Sequence, residues 1–458
     1  MIRRMPISRR TALGAGLATA AATLAGCREA VRSAGAGVTA APSASPSASA
    51  SAAPSRSAAR VAAPDVTGTT GAAVRDGALA GARLRLALHR HLAPTSVNPK
   101  HPGYAGAVAL CQVNGATVTR AVVGRALRYD AGPVLLPESK QVGMRYDSIF
   151  DLASITKVYT AILALQQVDR GRIDLSAPVV DYLPGFTGAG KDRVTVAMLL
   201  AHTSGLPVGA KVAGLPDDAA RRAAVLATPL VSGAVPGTVF RYSSVGLMVL
   251  AFLVEKVTGE RFDQALKTGL TGPLGLTDTG FTPRTWLSPA DQAARLVATD
   301  ARSSRGLLRG VVHDDVANHM GGVAGHAGIF STAAEVAVIG RLLLDGGTYQ
   351  GTRILSEEIT RRMLSNVNAG LPAVDPERPN RTAAHGLGVV LDQPWFMGKL
   401  SGPGTFGHTG FTGTSLVVDP ARRMVLVLLT NRAHPNWSWA NPDPVRVEVA
   451  DIVAPIRP

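Results

Sequence analysis

Apolar positions along this chain fall into short runs near both ends of the body and helix-spaced runs between them. A helical pattern near 76–91 comes first, then strand-like runs near 105–112 and 116–123. An apolar run opening at Asp151-Leu152-Ala153-Ser154 predicts a helix that stops at Gly171. Further helices are predicted near 195–201, from about Ser244 to Val257 before Gly259, and near 332–345 and 356–366. The tail predicts strands near 386–391, 404–409, 413–418 and 424–430, and a last helix near 444–453. Strands at both ends with helices between them predict one sheet built from both termini, with a helical region inserted.

The first 27 residues differ from the rest. Arg3, Arg4, Arg9 and Arg10 make a basic start, with Ser8-Arg9-Arg10 resembling a twin-arginine signal. Thr11 to Ala25 is weakly apolar and too short for a permanent transmembrane helix. It ends in Leu24-Ala25-Gly26-Cys27, which resembles a lipobox, so Cys27 is the expected lipidation site. Residues 28–72 are Ala, Ser, Pro, Gly and Thr with few large apolar side chains, the composition of a flexible tether. The body is then 73–458, anchored through Cys27 to the outer face of the cell membrane. Cys111, in an apolar run, is left as a buried thiol with no disulfide partner.

Formal net charge is +15, but residues 1–72 hold 8 Arg and 2 acids. The body keeps 39 Lys+Arg against 30 acids, or +9, with no basic-aromatic cluster, so no nucleic-acid partner is expected.

Chemistry enters with Ser154-Ile155-Thr156-Lys157. A lysine three residues after a serine lies one helical turn away on the same face, where a desolvated amine can take the hydroxyl proton. It is the only one of 8 lysines placed so. Tyr242, 88 residues later, stands before an apolar helix and is a candidate proton relay; Ser244 is placed to bond a substrate amide or Lys157. His408 follows 166 residues after Tyr242, in Phe406-Gly407-His408-Thr409-Gly410-Phe411-Thr412-Gly413. Such small side chains suit a strand edge along which a substrate backbone lies. The backbone N–H groups of Ser154 and Phe411 are the candidate oxyanion hole.

Ser-x-x-Lys, Tyr-x-Ser and His-Thr-Gly, in this order and at these separations, resemble the motifs of class C serine β-lactamases and their penicillin-binding and esterase relatives. Leu199 to Pro207, Pro236-Gly237-Thr238 and Gly321 to Ser331 look alike as well, so the resemblance spans about 105–432. It implies an α/β (α+β) fold of β-lactamase/transpeptidase type: an antiparallel sheet flanked by helices, an all-helical lobe, and the serine in the cleft. It implies Ser154, Lys157 and Tyr242 as catalytic residues, substrate contacts at Ser244, His408, Thr409, Gly410 and Phe411, and neither cofactor nor metal. Two departures stand out. His408 replaces a lysine that helps bind a substrate carboxylate, and Ser244 replaces the common asparagine. Both suit a peptidase or esterase better than an efficient penicillinase.

Other candidates have plainer readings. Lys267-Thr268-Gly269 matches the third motif but ends a helical pattern, and Tyr146-Asp147-Ser148 sits too close to Ser154. His313, Asp314, Asp315, His319 and His326 lack metal-ligand spacing and read as a structured loop. His202 reads as a turn stabiliser, and Tyr159 and Leu163 as core; Trp395, Trp437 and Trp439 either line the cleft or pack. The expected function is a lipid-anchored serine hydrolase acting through an acyl-serine, most plausibly on cell-wall peptides ending in D-alanine. A β-lactam or short ester is the alternative substrate, and a non-hydrolysing penicillin- or peptidoglycan-binding sensor the alternative class.

Overall fold

The computed structural model describes residues 71–375 and 378–458. The signal segment, Cys27 and nearly all of the tether lie outside these residues. The main elements, in chain order, are α1 (Gly71–Arg90), β1 (Gly106–Val113), β2 (Ala116–Leu127), β3 (Val142–Gly143), α2 (Thr156–Asp169), α3 (Val196–Leu200), α4 (Asp218–Ala227) and α5 (Ser244–Thr258). They continue with α6 (Ala333–Leu344), β4 (Val390–Leu391), β5 (Phe406–Thr409), β6 (Ser415–Asp419), β7 (Met424–Thr430) and α7 (Asp443–Val453).

The seven strands form one antiparallel sheet in the order β4-β5-β6-β7-β1-β2-β3. Both ends of the body meet in it: Ala107 pairs with Thr430 and Val113 with Met424. Helices cover both faces, so β1 is apolar at nearly every position instead of alternating with polar residues. Period two still sorts its side chains. Ala107, Ala109 and Cys111 pack with Leu84 and Leu88 of α1 and Val445 and Val449 of α7. Val108 and Leu110 face the larger core with α2, α5 and α6. Cys111 is fully buried, and loss of water drives its thiol pKa upward.

The inserted region is helical, as the pattern predicts. Helix α2 is buried on nearly every side and packs against α5, so apolar side chains lie on more than one of its faces, among a few buried polar ones such as Lys157. Ser243 caps α5 by accepting from the Gly246 N–H at 3.0 Å, and Gly259 ends it at φ 73°. Helix α4 and short helices at Pro289–Arg295 and Asp315–His319 are absent from the periodicity reading. Their signal was in the caps: Asp217, Ser288 and Asp314 each accept a hydrogen bond from a first-turn N–H. The strand expected at 386–391 shrinks to two residues. Gly388 there has φ 88° and lies against α2, where a Cβ would stand 2.2 Å from that of Ala161. Lys267–Thr271 continues a helical turn and has no sheet edge. Among the described residues no helix is long and apolar enough to cross a membrane.

Candidate active site

Ser154 sits on a tight turn, Ala153–Ile155, that feeds α2. Its neighbour Ala153 has φ 47°, a left-handed conformation that costs a non-glycine residue about 1–2 kcal/mol. Several bonds hold it there. The Ala153 N–H donates to the Asp151 carboxylate at 2.8 Å, and the Leu152 N–H to the Ile329 carbonyl at 2.9 Å. Asp151 is fully buried, which raises its pKa, and it also accepts from the His313 N–H at 2.7 Å. From the sheet side, Thr412 Oγ1 donates to the Asp151 carbonyl at 2.8 Å and Thr414 Oγ1 to the Leu152 carbonyl at 3.0 Å. The turn after β5 is thus laced to the backbone just before Ser154. Gly410 is required in it: a Cβ there would stand 2.3 Å from the Leu152 oxygen. This lacing carries the Thr409-Gly410-Phe411 segment to the Ser154 turn.

Lys157 is fully buried, and its Nζ lies 2.8 Å from Ser154 Oγ. Its second oxygen partner is the His326 carbonyl, at 3.0 Å, and the face of the Tyr242 ring is 4.9 Å away. Ser154, Lys157 and Tyr242 therefore meet, although they come from α2 and from the approach to α5. Ser244 opens α5 and is buried, but it makes no hydrogen bond to Lys157; the His326 carbonyl holds that place. Sequence reasoning missed this partner, because a backbone carbonyl from a loop 169 residues away leaves no motif.

His408 lies on β5 but is buried: it is 2% exposed, and its Nδ1–H donates to the Thr409 carbonyl at 2.8 Å. Burial, then Lys157, push its pKa well below the ordinary histidine value, so the ring is neutral. Its buried Nε2 keeps a lone pair without a partner and offers an acceptor, not a positive charge. A neutral His408 therefore does not supply the positive charge of the lysine it replaces. Its ring centroid is 6.4 Å from that of Tyr242. His202 does hold a turn, accepting from the Ser243 N–H at 3.1 Å, and its ring packs 4.7 Å from Tyr242.

Phe411 is 45% exposed and touches Trp437, at 5.5 Å between centroids, and His313. Trp437 thus borders the turn, whereas Trp439 stacks on His101 and Trp395 packs against Phe396 and Arg378. The residues weighed as metal ligands pair off separately: His313 with Asp300, His326 with Asp314, and Asp315 with Arg305.

A serine bonded to a buried lysine, beside a tyrosine and under a sheet edge, is a nucleophile-and-base arrangement. Residues 96–451 match the family model described as Beta-lactamase. This chain belongs to the beta-lactamase family. It is a serine hydrolase. Within the family it is 32% identical over 365 residues to an Escherichia coli K12 protein named for D-alanyl-D-alanine carboxypeptidase activity, covering 72% of this chain and 79% of that protein. It is 30% identical over 359 residues to the N-acetylmuramyl-L-alanine amidase of Bacillus subtilis 168, covering 72% and 78%. The solved structure of EstCE1, a hydrolase with promiscuous acyltransferase activity, superposes with a TM-score of 0.60 at 20% identity, over 83% of this chain and 99% of that one. That structure shares the beta-lactamase fold described above.

Proposed function

We propose that this hydrolase acts on D-alanine-ended cell-wall peptides, in the manner of a D-alanyl-D-alanine carboxypeptidase, through an acyl-Ser154 intermediate. The observation that carries the reading is the 2.8 Å approach of buried Lys157 Nζ to Ser154 Oγ. Lys157 takes the hydroxyl proton while Oγ attacks the carbonyl carbon. The backbone N–H groups of Ser154 and Phe411 stabilise the oxyanion. Lys157, partnered by Tyr242, then returns the proton to the departing amine, and water hydrolyses the ester. Ser244, His408, Thr409, Gly410 and Phe411 form the wall along which the peptide lies. The substrate class is supported by the names of the relatives and by the export-like amino terminus.

The test is intact-mass analysis after incubation with a D-Ala-D-Ala peptide, a penicillin and a nitrophenyl ester, followed by product identification. Free D-alanine released over many turnovers supports the reading. Acylation that stops at one equivalent for every substrate would make the protein a sensor.

The neutral His408 offers no charge to a substrate carboxylate and so favours a second reading, an amidase; the Bacillus relative is named as an amidase. The same peptide capped as its C-terminal amide separates the two: equal kcat/KM for acid and amide favours the amidase. On the carboxypeptidase reading, His408→Lys raises kcat/KM for the free acid relative to the amide, because it supplies the missing charge. An unchanged ratio removes His408 from substrate recognition.

We further propose that the enzyme is exported and lipid-anchored through Cys27. Cys27→Ala is expected to leave a folded, active protein that fractionates away from membranes, since the lipid of this proposal is carried on the Cys27 thiol. Full retention of Cys27→Ala in the membrane fraction rules this out.

A further inference from the structure

We propose that Asp314 and His326 are positioning residues for Lys157, fixing where its amine points. This rests on the reading of Ser154 as nucleophile and Lys157 as base.

A lysine that serves as a base must direct its lone pair at the hydroxyl. Among the described residues, Lys157 has one oxygen partner besides Ser154, the His326 carbonyl at 3.0 Å; an N–H given to that carbonyl leaves the lone pair for Oγ. Everything around the carbonyl is pinned. The Thr160 hydroxyl donates to the Gly325 carbonyl at 2.6 Å, one turn along α2 from Lys157. Gly325 is wedged against α5, where a Cβ would stand 2.1 Å from the Leu247 oxygen. The His326 ring is buried, and its Nε2–H donates to Asp314 Oδ1 at 2.9 Å. Asp314 Oδ1 also accepts from the Ala317 N–H at 2.9 Å, so the carboxylate is itself fixed as the cap of a short helix. The chain of contacts runs Asp314 to His326 ring to His326 carbonyl to Lys157 Nζ.

The experiment measures kcat and KM with an uncharged nitrophenyl ester, on the whole protein, beside melting temperatures. Asp314→Ala removes the acceptor that holds the His326 ring and the Ala317 N–H, and is expected to lower kcat several-fold with KM little changed. Asp314→Asn, which keeps an acceptor there, is expected to recover most of that loss. His326→Ala, which frees the carbonyl from its anchor, is expected to lower kcat about tenfold or more with KM little changed. His326→Gln, whose amide can still donate to Asp314, should recover much of that loss. An Asp314→Ala variant with wild-type kcat overturns the proposal, as does a His326→Gln variant no better than His326→Ala. The two Asp314 variants decide the matter even if the His326 variants fold poorly. Full activity in Ser154→Ala would instead overturn the underlying reading of the nucleophile.

Discussion

Ser154→Ala is expected to lower kcat on the order of 10³-fold or more, for ester and peptide alike. The reason is chemical: without Oγ no acyl-enzyme forms, and the direct attack of water lacks a nucleophile aligned with the base. The fold should hardly notice. Lys157 keeps its bond to the His326 carbonyl, and the turn is held by backbone groups of Leu152 and Ala153, not by the serine hydroxyl. One lost hydrogen bond costs about 0.5–1.5 kcal/mol, so the melting temperature should move little. Turnover of a nitrophenyl ester, with calorimetry on the same sample, measures both. More than a tenth of wild-type turnover in pure Ser154→Ala protein would remove Ser154 as nucleophile.

Lys157→Met should be nearly as damaging, with a loss of about 10²–10⁴-fold in kcat, the usual worth of a positioned general base. Methionine fills much the same buried space, so the change removes the amine while keeping the packing. It leaves the His326 carbonyl without its partner, a cost of about 1–3 kcal/mol that should appear as a modest fall in melting temperature. Because nucleophile and base act as a unit, the double variant Ser154→Ala/Lys157→Met should be no slower than Ser154→Ala alone. Fully additive losses would show that Lys157 assists a step that does not pass through Ser154. A Lys157→Met enzyme with more than a tenth of wild-type activity would shift the role of base to Tyr242.

Much of this architecture is written in local pattern. The apolar runs at 106–113 and 424–430 are strands because they are short and rich in valine, leucine and alanine. Helix α2 is longer and stops at Gly171. Ser154, Lys157 and Tyr242 carry their chemistry in their residue types and spacing, and the resemblance to the beta-lactamase family follows from the order of three motifs. The decoy at Lys267 could be set aside because a helical pattern surrounds it, as the structure bears out.

Other features depend on contacts between distant segments, which no local pattern encodes. That His408 is neutral follows from its burial and from the carbonyl that fixes its Nδ1–H; from sequence it looks like any strand histidine. The left-handed Ala153 turn depends on Asp151, two residues back, but also on bonds to Ile329 and from the Thr412–Thr414 segment, which lie far along the chain. The partner of Lys157 is a carbonyl, and carbonyls are the same at every position. The amino-acid sequence by itself determined the order of the main elements and the family, and it put forward the side chains proposed here as reactive, because those rest on residue type and short-range periodicity. Only the tertiary structure decided which groups are desolvated, which ring nitrogen carries a proton and which oxygen holds the lysine, because these depend on what long-range packing places within a few ångströms.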